Sequence, residues 1–282
     1  MFSRAAKQAR TASEPWGRNR LLLMLAAATM AAGILVVGLG MAIWSALGAS
    51  GQQTVPAPSD GPVRAAGSVR DGIAAAPMVR LAPEAAFNPD PATTATRELL
   101  VPIAQVDLGP ADVPTGFPHT PAGAVGQLAA IEKAVLESMS LPLTRDIHTA
   151  WVQPGGPSLE EWELTRNVQA FLAAARQGGV EKDLTTLVSA TPAAGLVKGS
   201  DGSDWTVACV LMDVQAVIRT ESRMGYGFCS RMAWDPGQGR WLVAAGPVPA
   251  RAPSAWPGSR AAAEAGWQRW SEVAGGRGER RG

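Results

Sequence analysis

Residues 205–218 read Trp-Thr-Val-Ala-Cys-Val-Leu-Met-Asp-Val-Gln-Ala-Val-Ile, and the fold turns on this stretch. Its even positions, Thr206, Ala208, Val210, Met212, Val214, Ala216 and Ile218, form one apolar face. The odd positions begin apolar and turn polar at Asp213, Gln215 and Arg219. A period of two with that asymmetry predicts a long strand, buried on one face and partly on the other. Downstream, Thr220-Glu-Ser-Arg223 reads as a turn, after which Met224, Tyr226, Phe228, Met232 and Trp234 alternate along a second strand. Asp235-Pro-Gly-Gln-Gly239 supplies a hairpin loop and residues 240–245 the returning strand. The expectation is a three-strand antiparallel meander.

The chain has two cysteines, Cys209 and Cys229, one on each long strand. A turn centred near residues 221–222 places them several residues apart along the ladder, while a bulge or a longer turn would close the gap. A disulfide between them and two packed thiols therefore both stay open, since bridging needs Cα atoms within about 7 Å.

Upstream of the strands the period is helical. Thr120 is a capping residue and Pro121 suits a first helical turn. Ala124, Leu128, Ile131, Val135 and Met139 then fall on one stripe that ends at Leu141-Pro142. A shorter piece carries Leu143, Ile147 and Trp151 at four-residue spacing. Ser158-Leu-Glu-Glu161 is a capping-box pattern for a further helix, with Leu164, Val168, Phe171, Leu172 and Ala175 inward and Gly178-Gly179 closing it. Helices followed by strands indicate an α+β domain. Residues 259–273 read as a C-terminal helix with Ala263, Trp267 and Trp270 on one side, either packing back on the sheet or forming a docking face.

The first 118 residues differ in kind. No Asp, Glu, Lys or Arg occurs in residues 21–59, and residues 21–47 are a 27-residue apolar run. About 20 apolar residues span a bilayer, whereas the apolar core of a cleaved signal is shorter, so a single transmembrane helix is expected. Residues 1–20 carry five basic groups against Glu14, a net of +4, which puts the N-terminus in the cytoplasm and the rest of the chain outside. Residues 50–119 hold 11 of the 22 prolines, which suits an extended spacer. Within it the apolar segment 97–108 reads as a docking piece, demoted from a central strand by Pro102. The expected organisation is a basic tail at 1–20, the membrane helix at 21–47, a Pro/Ala/Gly-rich linker at 48–118, the folded domain at 119–250, and a C-terminal helix with a flexible tail at 251–282.

The formal net charge of +1 gives no case for nucleic-acid binding, and two histidines leave little room for a metal site. No nucleophile elbow, P-loop or dinucleotide fingerprint occurs. His148 lacks a visible orienting partner, which a general base needs. No catalytic, cofactor-binding or metal-ligating residue is assigned on these grounds.

The layout resembles membrane-anchored NTF2-like (cystatin-like) proteins of conjugation and type IV secretion loci in high-GC Gram-positive bacteria. The similarity is carried by residues 120–125 (Thr-Pro-Ala-Gly-Ala-Val), residues 191–196 (Thr-Pro-Ala-Ala-Gly-Leu) and the strands at 205–218 and 224–234. It implies helices packed on a curved antiparallel sheet, outside the membrane, in a non-catalytic assembly or interaction component. Its partners would be the lipid bilayer and other membrane or channel proteins, with self-association as a further option. A wall-associated sensor is an alternative, its spacer reaching roughly 200 Å if fully extended. A third reading is an NTF2-like isomerase or dehydratase using a carboxylate with Tyr226. Asp213, Tyr226, Trp234, Trp267 and Trp270 are the candidate pocket or interface residues.

Overall fold

A computed structural model describes residues 68–274 apart from 94, 95, 107 and 177. The expected membrane helix at 21–47, the tail at 1–20, the start of the linker and the C-terminal tail lie outside the described residues. Among the described residues no helix is long and apolar enough to cross a membrane.

The domain is α+β, with helices packed on a curled mixed sheet. In chain order its strands are β1 (Glu98–Pro102), β2 (Leu187–Ser200), β3 (Trp205–Val217), β4 (Glu221–Asp235), β5 (Arg240–Val243) and β6 (Gln268–Val273). They lie in the order β1-β6-β2-β3-β4-β5, with β1 parallel to β6 and the other pairs antiparallel. The three longest helices are α2 (Pro121–Ser138), α3 (Leu141–Trp151) and α4 (Glu163–Ala174); α1 (Val69–Ala75) and α5 (Arg260–Glu264) are short.

The strand that the period of two identified is present almost residue for residue, but it is buried more thoroughly than expected. Trp205 through Met212 are all buried, so both faces of β3 are covered. The even face, with Ala208, Val210 and Met212 beside Tyr226, Phe228 and Met232 of β4, packs under Leu128, Ile131 and Val135 of α2, Ile147 and Trp151 of α3, and Leu164 and Val168 of α4. The odd face, with Trp205, Val207, Cys209 and Leu211, packs a second core built from Ala74, Ala252, Ala255, Ala262 and Trp267.

The helix ends follow local chemistry. Thr120 Oγ1 accepts from Gly123 N at 3.1 Å, and Met139 ends α2 in the left-handed region at φ 42°. Ser140 caps α3, so Leu141-Pro142 opens that helix rather than merely ending α2. Glu161 N donates to Ser158 Oγ and that hydroxyl donates to Glu161 Oε2, but these contacts close a separate turn and α4 starts only at Glu163. Arg176, at φ 55°, takes the left-handed position just past α4 that was expected of the glycines.

Four further expectations are corrected. The meander is part of a six-stranded sheet, because β2 was not legible: Pro192, Gly195 and Gly199 are poor strand formers, and the irregularities at Pro192/Ala194 and Val197/Gly199 absorb them. The turn between β3 and β4 is residues 218–220, with Val217 opposite Glu221. Residues 68–118 are not a free spacer: Ala74, Ala86, Val101, Val113 and Phe117 are buried, and β1 is an edge strand of the sheet. The C-terminal helix is only Arg260–Glu264; Gly266, at φ 93°, ends it, and Trp270 lies on strand β6.

The second face is covered mostly by irregular chain that needs bare backbone beneath it. A Cβ on Gly225 would lie 1.7 Å from Ala255 O, and one on Gly227 2.4 Å from Pro253 O. The strap is tied down where Ser254 Oγ accepts from Gly227 N at 3.1 Å and Trp267 Nε1 donates to Pro253 O at 3.0 Å. Gly225→Ala is expected to destabilise the domain by about 2 kcal/mol or more through this overpacking. A thermal melt matching the wild type would refute the glycine window.

Candidate functional site

The alternation of β4 delivers Tyr226 to the helix-covered face, where it is buried. Glu163 and Asn167, four residues apart on α4, meet it there. Tyr226 OH donates to Glu163 Oε1 at 2.9 Å, and Asn167 Nδ2 donates to Tyr226 OH at 2.8 Å. Glu132 comes from α2, is wholly buried, and has no partner at either carboxylate oxygen; Asn167 Oδ1 is also unpartnered. Burial, with repulsion from Glu163 added, pushes the Glu132 carboxyl well above its ordinary range. Burial likewise raises Tyr226, helped by the neighbouring charges of Glu163 and Glu132. Between α4 and the β4–β5 pair is a cavity of about 20 Å³, bordered by Trp162, Glu163, Phe228, Val243 and Pro247. That is room for about one water molecule. Chemically the cluster offers a neutral acid, a half-buried carboxylate and a buried phenol.

Of the residues singled out by sequence, only Tyr226 belongs to this cluster. Asp213 sits on the opposite face of the sheet, facing Gly225 in the ladder, and Arg223 grips its carboxylate with two bonds of 2.8 and 2.5 Å. The guanidinium of Arg223 lies 4.8 Å from the Trp256 ring, so the pair clamps the strap. The pocket of Asp213 with Tyr226 is thus replaced, because neighbouring residues on a strand point to opposite faces. Trp234 stacks on His119 at 4.4 Å and meets Trp241 edge-on at 5.6 Å. His119 Nε2 lies 2.7 Å from Asp204 Oδ1. Trp267 is buried in the second core, and Trp270 is half-buried beside Leu99 on the helix side. Four of the five candidates therefore serve packing in three separate places. His148 Nε2 lies 2.8 Å from Pro157 O, and its ring meets Trp162 edge-on, a structural setting.

Sequence reasoning missed Glu132, Glu163 and Asn167. A signal was present for the first: Glu132 is four residues after Leu128 and four before Leu136, squarely on the buried side of α2. An acidic residue inside an apolar stripe is a buried carboxyl unless the helix rotates.

The cysteines stand directly opposite one another in the β3–β4 ladder and are joined, with Sγ atoms 1.97 Å and Cα atoms 4.0 Å apart. Among the described residues no three His, Cys, Asp or Glu side chains converge to hold a metal. The disulfide closes a 20-residue separation, worth about 3 kcal/mol by the chain-entropy relation. Replacing both cysteines by Ala is expected to lower stability in denaturant by about that amount, and an unchanged midpoint would contradict it.

No family model matches the chain, and neither a curated protein nor a solved structure matches it. The site is therefore defined by its own chemistry, which a pH titration tests. A carboxyl raised in the folded state keeps its proton there while the unfolded chain loses its own near 4.5. Stability from Glu132 is thus fully present below about 4.5 and is lost as pH rises through the folded value. Glu132→Gln should remove that decline, so the difference between wild-type and variant unfolding free energies should grow with pH. A difference that is flat in pH would show that Glu132 is not buried as described.

Proposed function

We propose that the protein is a non-catalytic, membrane-tethered assembly component of a conjugation or type IV secretion-like apparatus. Its folded part, an NTF2-like domain, acts outside the membrane as a binding module for neighbouring channel proteins. The observation that carries this reading is the buried Cys209–Cys229 disulfide. Disulfides persist in oxidising compartments and are rare in the cytosol. It supports the same orientation as the net charge of +4 in residues 1–20 ahead of the charge-free run. A long helix lying along β2 and β3 of a curled sheet supports the NTF2-like assignment. The wall-associated alternative no longer has a 70-residue extended spacer behind it, since residues 68–118 are built into the domain.

Two measurements test the reading. An alkaline-phosphatase reporter fused after residue 282 should be active, because that enzyme needs export to form its own disulfides. A clean deletion of the gene should impair transfer of substrate between cells, with restoration by the full-length chain. Normal transfer in the deletion strain, or an inactive reporter on a stably produced fusion, would sink the proposal.

A further inference from the structure

Among the described residues the sheet has a gap on the outer side of β2. Strand β6 pairs with β2 only at Ala194 and Gly195, so residues 187–192 have β3 on one side and no strand on the other. In an antiparallel ladder, successive residues alternately bond across it and point their backbone groups away. Ala190, opposite Val214, points away from β3. Its N–H donates to Glu137 Oε1 at 3.1 Å, and its carbonyl accepts from Lys133 Nζ at 3.1 Å. Lys133 and Glu137, one turn apart on α2, are themselves joined at 2.6 Å. A side-chain ion pair thus takes the place of a neighbouring strand at a residue that is 0% exposed, where unpaired backbone is costly. The same alternation turns Val188 and Pro192 outward. Pro192 has no N–H to offer, whereas Val188 has both groups. Leu184 and Leu187 are exposed at this end of the strand. An open edge beside exposed apolar side chains is a template for another strand unless it is guarded, and lysine, proline and bulges are the usual guards. All three occur here, since the ladder shifts register between Pro192 and Ala194.

We propose that the outer edge of β2 is a pairing surface for a second copy of this chain, held shut by the Lys133–Glu137 clasp. A two-fold antiparallel pairing about Ser189 sets Val188 of each copy against Ala190 of the other. Outward-pointing residues so opposed exchange both N–H···O bonds, and neither pair calls on the missing donor of Pro192. The surface is also self-complementary in charge. Each copy brings one Lys133 and one Glu137, so side chains displaced from Ala190 find opposite charges across the axis. The clasp therefore decides between a closed edge and a paired one. This inference does not depend on the proposed assembly role, because it concerns contacts between copies alone.

Cysteine cross-linking of the full-length chain tests this. The chain's two cysteines are joined to each other, so an introduced cysteine is the one free thiol. In the proposed register Ser189→Cys meets its own copy at a Cα separation of about 4.5 Å, within disulfide range. With the clasp intact, oxidised Ser189→Cys should run as a monomer on a non-reducing gel. Adding Lys133→Ala and Glu137→Ala should give a disulfide-linked dimer. Adding Val188→Pro as well should abolish the dimer, since that N–H faces outward and bonds to no strand in the single copy. Glu137→Gln, which still accepts from Ala190 N, should keep the edge closed. Leu184→Cys in the clasp-free background measures random collision. Thermal melts confirm folding, and if the double alanine variant does not melt cooperatively, Glu137→Ala alone, which frees the Ala190 N–H, supplies the same readout. The proposal is overturned if the folded clasp-free Ser189→Cys chain gives no dimer, or if it gives no more than with the clasp intact. It is equally overturned by equal cross-linking at Leu184→Cys or by a dimer that survives Val188→Pro.

Discussion

Eight consecutive residues of β3, from Trp205 to Met212, are withdrawn from water on both faces, and the architecture follows from that double burial. A strand with one wet face alternates apolar with polar; a strand covered twice needs a layer on each side. Three amphipathic helices supply the first layer. The second is made from pieces too short to stand alone: a seven-residue helix, a 3-10 turn at Pro83–Ala86, the strap around Pro253–Ala255, a five-residue helix and Trp267. Irregular chain can lie this close only where the sheet presents no side chain. Gly225 and Gly227 provide that opening in β4, and the disulfide one position further along the same face keeps β3 and β4 together beneath it.

The two layers deal with buried charge in opposite ways. On the strap side, the Arg231 side chain is 6% exposed but fully engaged. Its Nη2 bonds Asp71 Oδ1 at 2.7 Å, its Nε bonds Pro247 O at 2.7 Å, and its guanidinium lies 5.7 Å from the Trp205 ring. Arg70 approaches the same indole at 5.5 Å, so two guanidinium groups contact Trp205. These contacts fasten α1, and the desolvation of Arg231 is offset by bonds to separate elements. On the helix side, Glu132 has no such partner and keeps its proton instead. The first arrangement holds its charge by fixed partners, whereas the second gives up the charge and leaves a neutral acid without a partner.

What the sequence made legible was whatever a short-range period encodes: the three helices of the even-face layer, and strands β3 and β4 to within a few residues. The strand register was also within reach, through parity. Directly opposed residues of an antiparallel pair share a face, so joining the even apolar face of β3 to the even apolar face of β4 requires even-numbered partners to face even-numbered ones. A turn centred between residues 221 and 222 violates that rule and would set Met212 against Arg231. The observed register sets Met212 against Tyr226 and Cys209 against Cys229. Turn composition was thus the weaker guide, and the apolar pattern with the two cysteines the stronger one. What stayed hidden depends on contacts between distant segments. The proline content of residues 68–118 suggested a spacer because proline opposes regular structure, yet a cover layer needs no regular structure. Trp267 and Trp270 fit a helical stripe, but Gly266 ends the helix before both, leaving the first a core anchor and the second a strand residue. Glu163 and Asn167 became a site only through Tyr226, roughly 60 residues away in sequence.

The second layer also sets the order in which parts of the domain can come away. A seven-residue helix is well below the length at which helices hold in water by themselves. α1 therefore exists by virtue of Asp71–Arg231, the buried Ala74, and the bonds to Ala74 O from Lys198 Nζ at 2.7 Å and Ala250 N at 2.9 Å. All of these contacts lie on the odd-face side, and none involves the helices that cover the even face. Because α1 is where the chain enters the described domain, any pull transmitted along the chain from before Ser68 is met first by this layer. Peeling it would uncover Trp205, Val207 and the disulfide while leaving α2, α3 and α4 in place. Cys209–Cys229 lies where losing that cover would otherwise loosen the β3–β4 pair, and a covalent link between those strands keeps their register independent of whether the cover is closed.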